Sequence, residues 1–152
     1  MKAKFLALVS MLALLSGCGS EKVIDVEFQT FAETSYGVDG AKLVVNVNNV
    51  FESDRKSLRP EAVKVLRSLY RQVEGEYYAN VEINAYCDDA LTEKTALEVT
   101  NFQAQVVAGY FWFRGIPAAE IESNGLGFTH PIADMSTPFG VYTNQRIEIL
   151  LT

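Results

Sequence analysis

The chain has 152 residues, 49% of them hydrophobic, which suffices for one domain with a single core and leaves no room for a second of similar size. Acidic residues outnumber basic ones by 19 to 13, a formal net charge of −6, so nucleic acid is not an expected partner. The lone histidine, His130, has no spaced cysteine, histidine or carboxylate cluster beside it, so it is expected as a turn residue, with no metal and no cofactor.

In chain order, Lys2 and Lys4 precede an apolar run from Phe5 to Leu15, closed by the small residues Ser16 and Gly17. That is the layout of a secretory signal, too short for a transmembrane helix. Leu15-Ser16-Gly17-Cys18 resembles a bacterial lipobox, where a diacylglycerol is attached to the cysteine thiol before cleavage. The alternative is an ordinary signal peptide with an incidental cysteine. On the lipobox reading residues 1–17 are removed, residues 18–42 form a lipidated tether and residues 43–152 form the domain. Such a chain is anchored rather than spanning, since each buried methylene contributes about 0.8 kcal/mol. Gly19 stands where an aspartate would retain enterobacterial lipoproteins at the inner membrane, so the resemblance implies an outer-membrane anchor with the domain facing the periplasm. Without Lys2 and Lys4 the mature chain has 11 basic and 19 acidic residues, about −8. Cys87 is then the remaining thiol, expected as a small buried residue with a reactive or intermolecularly paired thiol as the alternative, and no internal disulfide can form.

Within the tether, Ile24, Val26 and Phe28 alternate with Asp25 and Glu27 before Gly37 and Gly40 break the pattern, enough for at most one short strand. Residues 43–47 are a β-branched strand. A polar loop and Pro60 then open a helix whose expected apolar stripe is Val63, Leu66, Tyr70 and Val73. Val81, Ile83 and Ala85 alternate with Glu82, Asn84 and Tyr86 in a half-buried strand. A second helix runs from Thr92 or Leu97 to Phe113, with Val99, Phe102, Val106, Tyr110 and Phe113 as its expected stripe, and Gly115 and Pro117 stop it. A strand near Ile121, a glycine-rich turn region and a last strand from Arg146 to Leu151 complete the order. This predicts an α/β (α+β) two-layer sandwich, a mixed sheet of about four strands with two main helices on one face.

Four segments across residues 43–152 resemble the OmpA-like peptidoglycan-binding domain, which also occurs in the peptidoglycan-associated lipoprotein. Residues 51–61, from Phe51 through Asp54 to Pro60 and Glu61, are similar to F-D-x-D-x-x-x-L-x-P-E. Ala85-Tyr86-Cys87-Asp88 stands where that family has Gly-His-Thr-Asp at a strand end. Gly115-Ile116-Pro117 and the run from Gly125 to Asp134 resemble G-I-x and G-x-G-x-x-x-P-I-A-D, and Asn144-Gln145-Arg146-Ile147-Glu148 resembles N-R-R-V-E.

The resemblance implies a domain that grips the diaminopimelate of the peptidoglycan stem peptide without cutting it. Asp88 would face the ammonium, Asp54 would add a polar contact from the first loop, and Asn144 and Arg146 hold retained positions of the closing motif. The chain also departs from the pattern. The family's helix arginine, fifteen residues after its aspartate, is Gln103 here, its loop glycine is Leu91, and its helix asparagine is Ala96.

Asp88 and Asp89 do not form a catalytic pair by this reading, because adjacent residues at a strand end diverge and no nucleophile, base or oxyanion motif accompanies them, so no enzyme is expected. Tyr110-Phe111-Trp112-Phe113 covers every side of its helix end; burial is expected, and an exposed patch that docks a protein is the alternative. Two functions follow. The first is an outer-membrane lipoprotein that links the envelope to peptidoglycan through Asp88, Gln103, Asp54, Asn144 and Arg146. The second is a structural subunit of an envelope-spanning secretion complex, such as the OmpA-like lipoproteins of type IVB (Dot/Icm) systems, with a degenerate pocket and protein partners.

Overall fold

The computed structural model describes residues 32–37, 40–74, 76, 78–89 and 92–152. The signal segment, Cys18, the Ile24 to Phe28 alternation and Leu91 lie outside the described residues. The chain runs β1 (Ala32–Gly37), β2 (Gly40–Asn46), α1 (Ala62–Glu74), β3 (Val81–Tyr86), α2 (Glu93–Phe113), β4 (Ile121–Gly127), α3 (Pro138–Asn144) and β5 (Arg146–Leu151). The strands form one five-stranded sheet in the order β1-β2-β5-β3-β4, parallel between β3 and β4 and antiparallel elsewhere. The sandwich is therefore α/β with a mixed sheet, as expected.

One strand more than expected is present, because β1 falls inside the segment read as tether and β2 begins at Gly40. The sequence Ala-Glu-Thr-Ser-Tyr-Gly has no apolar alternation, and residues 33–37 are exposed, so no period-two signal marks it. Pairing of Gly37 with Gly40 turns the hairpin, and Gly40 has φ +130 with a would-be Cβ only 1.7 Å from the Leu151 carbonyl oxygen. Thr34 Oγ1 donates to Gln72 Oε1 of α1 at 2.7 Å, which ties this edge strand to the helix layer.

The core lies between one sheet face and the two long helices. Leu43 and Val45 of β2, Ile147 and Ile149 of β5, and Val81 and Ile83 of β3 meet Val65, Leu69 and Val73 of α1 and Ala104, Val107 and Phe111 of α2. On α1 the buried stripe is Ala62, Val65, Leu66, Leu69, Tyr70 and Val73, so Val63, expected inside, is exposed instead.

The stripe of α2 is displaced further. Its buried residues are Ala96, Val99, Thr100, Gln103, Ala104, Val107 and Phe111, whereas Phe102 and Phe113 face outward. That is a shift of about one residue, roughly 100° of rotation. The reason lies in β4. A Cβ on Gly125 would fall 2.1 Å from the backbone nitrogen of Asn101, so α2 sits against the strand at van der Waals distance. Small and polar residues face that seam: Thr100 Oγ1 donates to Ala96 O at 2.8 Å and accepts from Gly127 N at 3.2 Å, while Asn101 Oδ1 accepts from Gly125 N at 3.0 Å. At the other end, Gly115 N donates to Trp112 O and Ile116 N to Phe111 O, a paired closure with Gly115 at φ +112 that stops the helix.

The aromatic run is split by this rotation: Phe111 is fully buried, while Trp112 is 62% and Phe113 79% exposed, which corrects the expected burial. The short α3 was also absent from the expected order. Thr137 caps it, its side chain accepting from Gly140 N at 3.0 Å, but seven residues give too few turns for a readable period.

Phe111→Ala is expected to lower stability by about 3–5 kcal/mol, against a change within about 0.5 kcal/mol for Trp112→Ala. Urea unfolding midpoints compare the two, and equal losses would contradict the rotation of α2.

Candidate functional site

β3 delivers its C-terminal end to the carboxyl side of the parallel β3–β4 pair. Pairing continues one residue past the strand, with Cys87 N donating to Gly127 O at 3.0 Å, and Cys87 itself is buried, its Sγ 4.0 Å from Ala96 O. The chain then turns outward, so Asp88 is half-buried and Asp89 exposed.

Asp88 is held by a side chain from the far end of the sequence. Asn144 Nδ2 donates to Asp88 Oδ2 at 2.8 Å and to Ala133 O at 3.0 Å, while Asn144 Oδ1 accepts from Ile132 N at 2.8 Å and Ala133 N at 2.9 Å. Asn144 is buried, so one carboxamide joins the carboxylate, the 132–133 loop and the end of α3. With Oδ2 taken up this way, Asp88 Oδ1 makes no hydrogen bond among the described residues.

Arg146 stands behind this arrangement rather than at its mouth. It is 3% exposed, Nε donates to Glu148 Oε1 at 2.7 Å, Nη1 to Asn144 O at 3.4 Å and Nη2 to His130 O at 3.0 Å. Its guanidinium also lies 3.9 Å from the centre of the Tyr86 ring. Through these bonds Arg146 fixes His130, which has φ +54, and the backbone of Asn144. Glu148 takes a second cation, Lys42, at 2.9 Å. Burial pushes the Glu148 carboxyl up, but the hydrogen bonds and charges of Lys42 and Arg146 outweigh it and leave its pKa below the usual value. The Tyr86 phenol is raised by burial and by the Glu148 charge.

Asp54 serves its own loop. Its Oδ1 accepts from Lys56 N at 3.0 Å and Ser57 N at 2.8 Å, and Oδ2 from Ser57 Oγ at 2.5 Å. The Ser57 and Lys56 hydrogen bonds hold its pKa below the ordinary range. Gln103 is fully buried beneath the same loop, donating through Nε2 to Arg55 O at 3.2 Å. Two residues absent from the expected site complete the cluster, since the Arg55 guanidinium forms an ion pair with Asp89. Nothing in the sequence separates Arg55 from the neighbouring Lys56 and Arg59 in a charge-rich loop; only the fold brings it to the end of β3.

The structure thus joins Asp88 and Asn144 directly, ties Arg146 to Asn144 through the Asn144 carbonyl, sets Gln103 under the first loop against the Arg55 carbonyl, and has Asp54 bracing that loop. Among the described residues no group of three or more histidine, cysteine, aspartate or glutamate side chains could hold a metal ion. What the end of β3 offers is the Asp88 carboxylate, with one oxygen unengaged among the described residues, and in the next residue a second carboxylate paired with a guanidinium. Such a surface suits a ligand carrying charges of both signs.

A profile of the OmpA family matches residues 50–145. The chain is 33% identical over 101 residues to the peptidoglycan-binding protein ArfA of Mycobacterium tuberculosis, covering 66% of this chain and 31% of ArfA, so it spans about a third of that relative's length. It is 26% identical to the outer-membrane lipoprotein YfiB of Pseudomonas aeruginosa, over 96% of this chain and 90% of YfiB. Among solved structures it is similar to a MotB-like protein from Desulfovibrio vulgaris, with TM-score 0.73 and 23% identity over 81% of this chain and 82% of that one. The cell wall anchor of the type VI secretion system from Pseudomonas aeruginosa superposes with TM-score 0.72 and 18% identity over 80% of this chain and 87% of that one.

The Glu148 pairing has a pH signature. Its folded pKa lies below the ordinary 4.5, so its contribution to stability is present above that value and is lost as the pH falls through the depressed one. Glu148→Ala is expected to cost about 3–5 kcal/mol at pH 7, because Arg146 is left buried without its counter-charge, and to flatten the acid side of the stability profile. Urea unfolding of both proteins between pH 7 and pH 3 checks this; parallel profiles would refute it.

Proposed function

This chain belongs to the OmpA family, and on that premise we propose that the site at the end of β3 binds peptidoglycan, gripping the zwitterionic diaminopimelate end of the stem peptide without breaking a bond. The observation that carries the reading is the clamp on Asp88. Asn144 fixes one carboxylate oxygen and leaves the other for an ammonium group, and the buried Arg146–Glu148 pair steadies Asn144 from behind. A preset carboxylate is what a charge-assisted hydrogen bond to a ligand requires, since its orientation is settled before binding. In this reading Asp88 is the contact residue, Asn144 and Arg146 position it, and Asp54 and Gln103 shape the adjoining loop. Recognition is by binding alone, and the protein is not an enzyme.

In the same reading the chain is an outer-membrane lipoprotein, anchored by lipid on Cys18 with its domain in the periplasm, linking that membrane to the wall. Support comes from the lipobox pattern and from the similarity to YfiB, which runs nearly the full length of both chains. A second reading, a structural subunit of an envelope-spanning secretion complex, is favoured by a different observation. Trp112 and Phe113 stand exposed at the end of α2, where large aromatic side chains suit a protein partner.

The test is co-sedimentation of the full-length protein, in detergent, with purified diaminopimelate-type sacculi. The wild type is expected to sediment, and Asp88→Ala to lose about tenfold or more in affinity, the equivalent of one charge-assisted bond. If Asp88→Ala sediments as well as the wild type, the site has been misplaced; if neither sediments while Trp112→Ser alters co-purification of envelope proteins, the second reading stands.

A further inference from the structure

We propose that Arg55, carried by the loop before α1, is the carboxylate-binding arm of this site, kept in place by Asp89 until a ligand carboxylate takes it over. The proposal rests on the peptidoglycan reading for the identity of the ligand and on the structure for the identity of the arm.

The placement of Arg55 comes first. Its ion pair with Asp89 sets a guanidinium directly beside the residue that follows Asp88. Side-chain exposure is 23% for Arg55 and 32% for Asp89, so the pair is partly withdrawn from water and is less screened than an ordinary surface pair. Arg146 cannot take this part, since it is buried and spends its donors on Glu148, Asn144 and His130.

The chain also gives up stability to hold Arg55 there. Arg55 has φ +62, a conformation that side-chain-bearing residues rarely adopt, and it persists only when its surroundings impose it. Three contacts do so. Arg55 N donates to Glu52 O at 2.8 Å, Asp54 braces the following turn through Lys56 N and Ser57 N, and Gln103 Nε2 donates to Arg55 O at 3.2 Å. Gln103 is fully buried, and its Oε1 finds no hydrogen-bond partner among the described residues. An orphaned buried acceptor is destabilising, so this glutamine is poorly explained as packing and well explained as the strut under Arg55.

A guanidinium has five N–H donors in a planar fork, and one carboxylate engages two of them at most. Asp89 therefore orients Arg55 without exhausting it. A ligand with an ammonium and a carboxylate on one carbon would place the ammonium on Asp88 Oδ1 and the carboxylate on the Arg55 fork, with Asp89 either sharing the fork or released to water. The arm thereby sets specificity. It favours a stem peptide whose third residue ends in an amino-acid zwitterion over one ending in a simple amine, because only the first has a carboxylate for Arg55.

The experiment measures binding of two soluble stem peptides to the full-length protein in detergent, one with meso-diaminopimelate and one with lysine at the third position, by titration calorimetry. The wild type is expected to prefer the diaminopimelate peptide by about tenfold or more, the scale of one bidentate charge-assisted contact. Arg55→Gln should remove that preference while the two peptides still bind through Asp88, Arg55→Lys should keep part of it, and Asp89→Asn should tighten the diaminopimelate peptide alone. If Arg55→Gln does not fold, the partial loss in Arg55→Lys decides. Undiminished preference in both Arg55 variants overturns the arm and leaves the peptidoglycan reading intact. Failure of the wild type to bind either peptide overturns both.

Discussion

The amide of Asn144 makes four hydrogen bonds from a buried position, and the arrangement at the end of β3 depends on all of them. The segment from Thr129 to Thr137 is irregular, and its backbone N–H groups need partners supplied from elsewhere. Asn144 supplies two of them at Ile132 and Ala133, and with its remaining donor capacity reaches the Asp88 carboxylate. A loop that would otherwise find its own conformation is thereby made to match a strand end fifty-six residues earlier in the chain. Arg146, two residues on, closes the other side by holding the carbonyls of Asn144 and His130, with Tyr86 against the face of its guanidinium. Loop, helix end and strand end are therefore tied together through Asn144 and Arg146.

The cost is a charged cluster on the sheet face opposite the core. Lys42, Arg146 and Glu148 are set on β2 and β5, and Asn84 lies beside them on β3; Arg146, Glu148 and Asn84 are almost fully buried, while Lys42 is partly exposed. Buried ion pairs seldom add net stability over an apolar replacement, because desolvation offsets attraction. Their value lies in geometry: a guanidinium satisfied by one carboxylate, two carbonyls and an aromatic face has one orientation, and it passes that orientation to the loops above it. The apolar layer between sheet and helices supplies the folding energy, while the polar face supplies the register of the site.

Much of this is legible in the sequence. Strands β3 and β5 alternate clearly on the core side, helix termini are marked by Thr92 and Gly115, and the motifs around Asp88 and Asn144 stand in the right order. What escapes has physical causes. β1 is polar on both faces, so it carries no alternation. The inward face of α2 is chosen by how closely a backbone can approach Gly125, and small residues win over Phe102 and Phe113 although a hydrophobicity pattern favours the latter. Likewise Asn84 and Tyr86, polar in the strand pattern, are buried because the far face is covered by charge pairing rather than left to water. Arg146 is recognisable by its motif, yet the motif does not say whether a retained arginine touches a ligand or the residues that do.

Gln103 shows the limit most clearly. Set against the family pattern it is a loss, an amide where a helix guanidinium is expected, and a sequence comparison can score it no other way. In the folded chain the same position faces inward and its amide ends on the carbonyl of Arg55, whose own guanidinium lies at the mouth of the site with Asp89. An arginine at position 103 would need to leave a fully buried slot or carry a charge into it, and either course would undo the support of the first loop. The two residues are therefore coupled: the Gln103 amide holds the carbonyl of Arg55, whose guanidinium pairs with Asp89. Position-by-position comparison cannot register such a coupling, since the two residues lie forty-eight apart in sequence and only the packing of α2 beneath the loop brings them into contact.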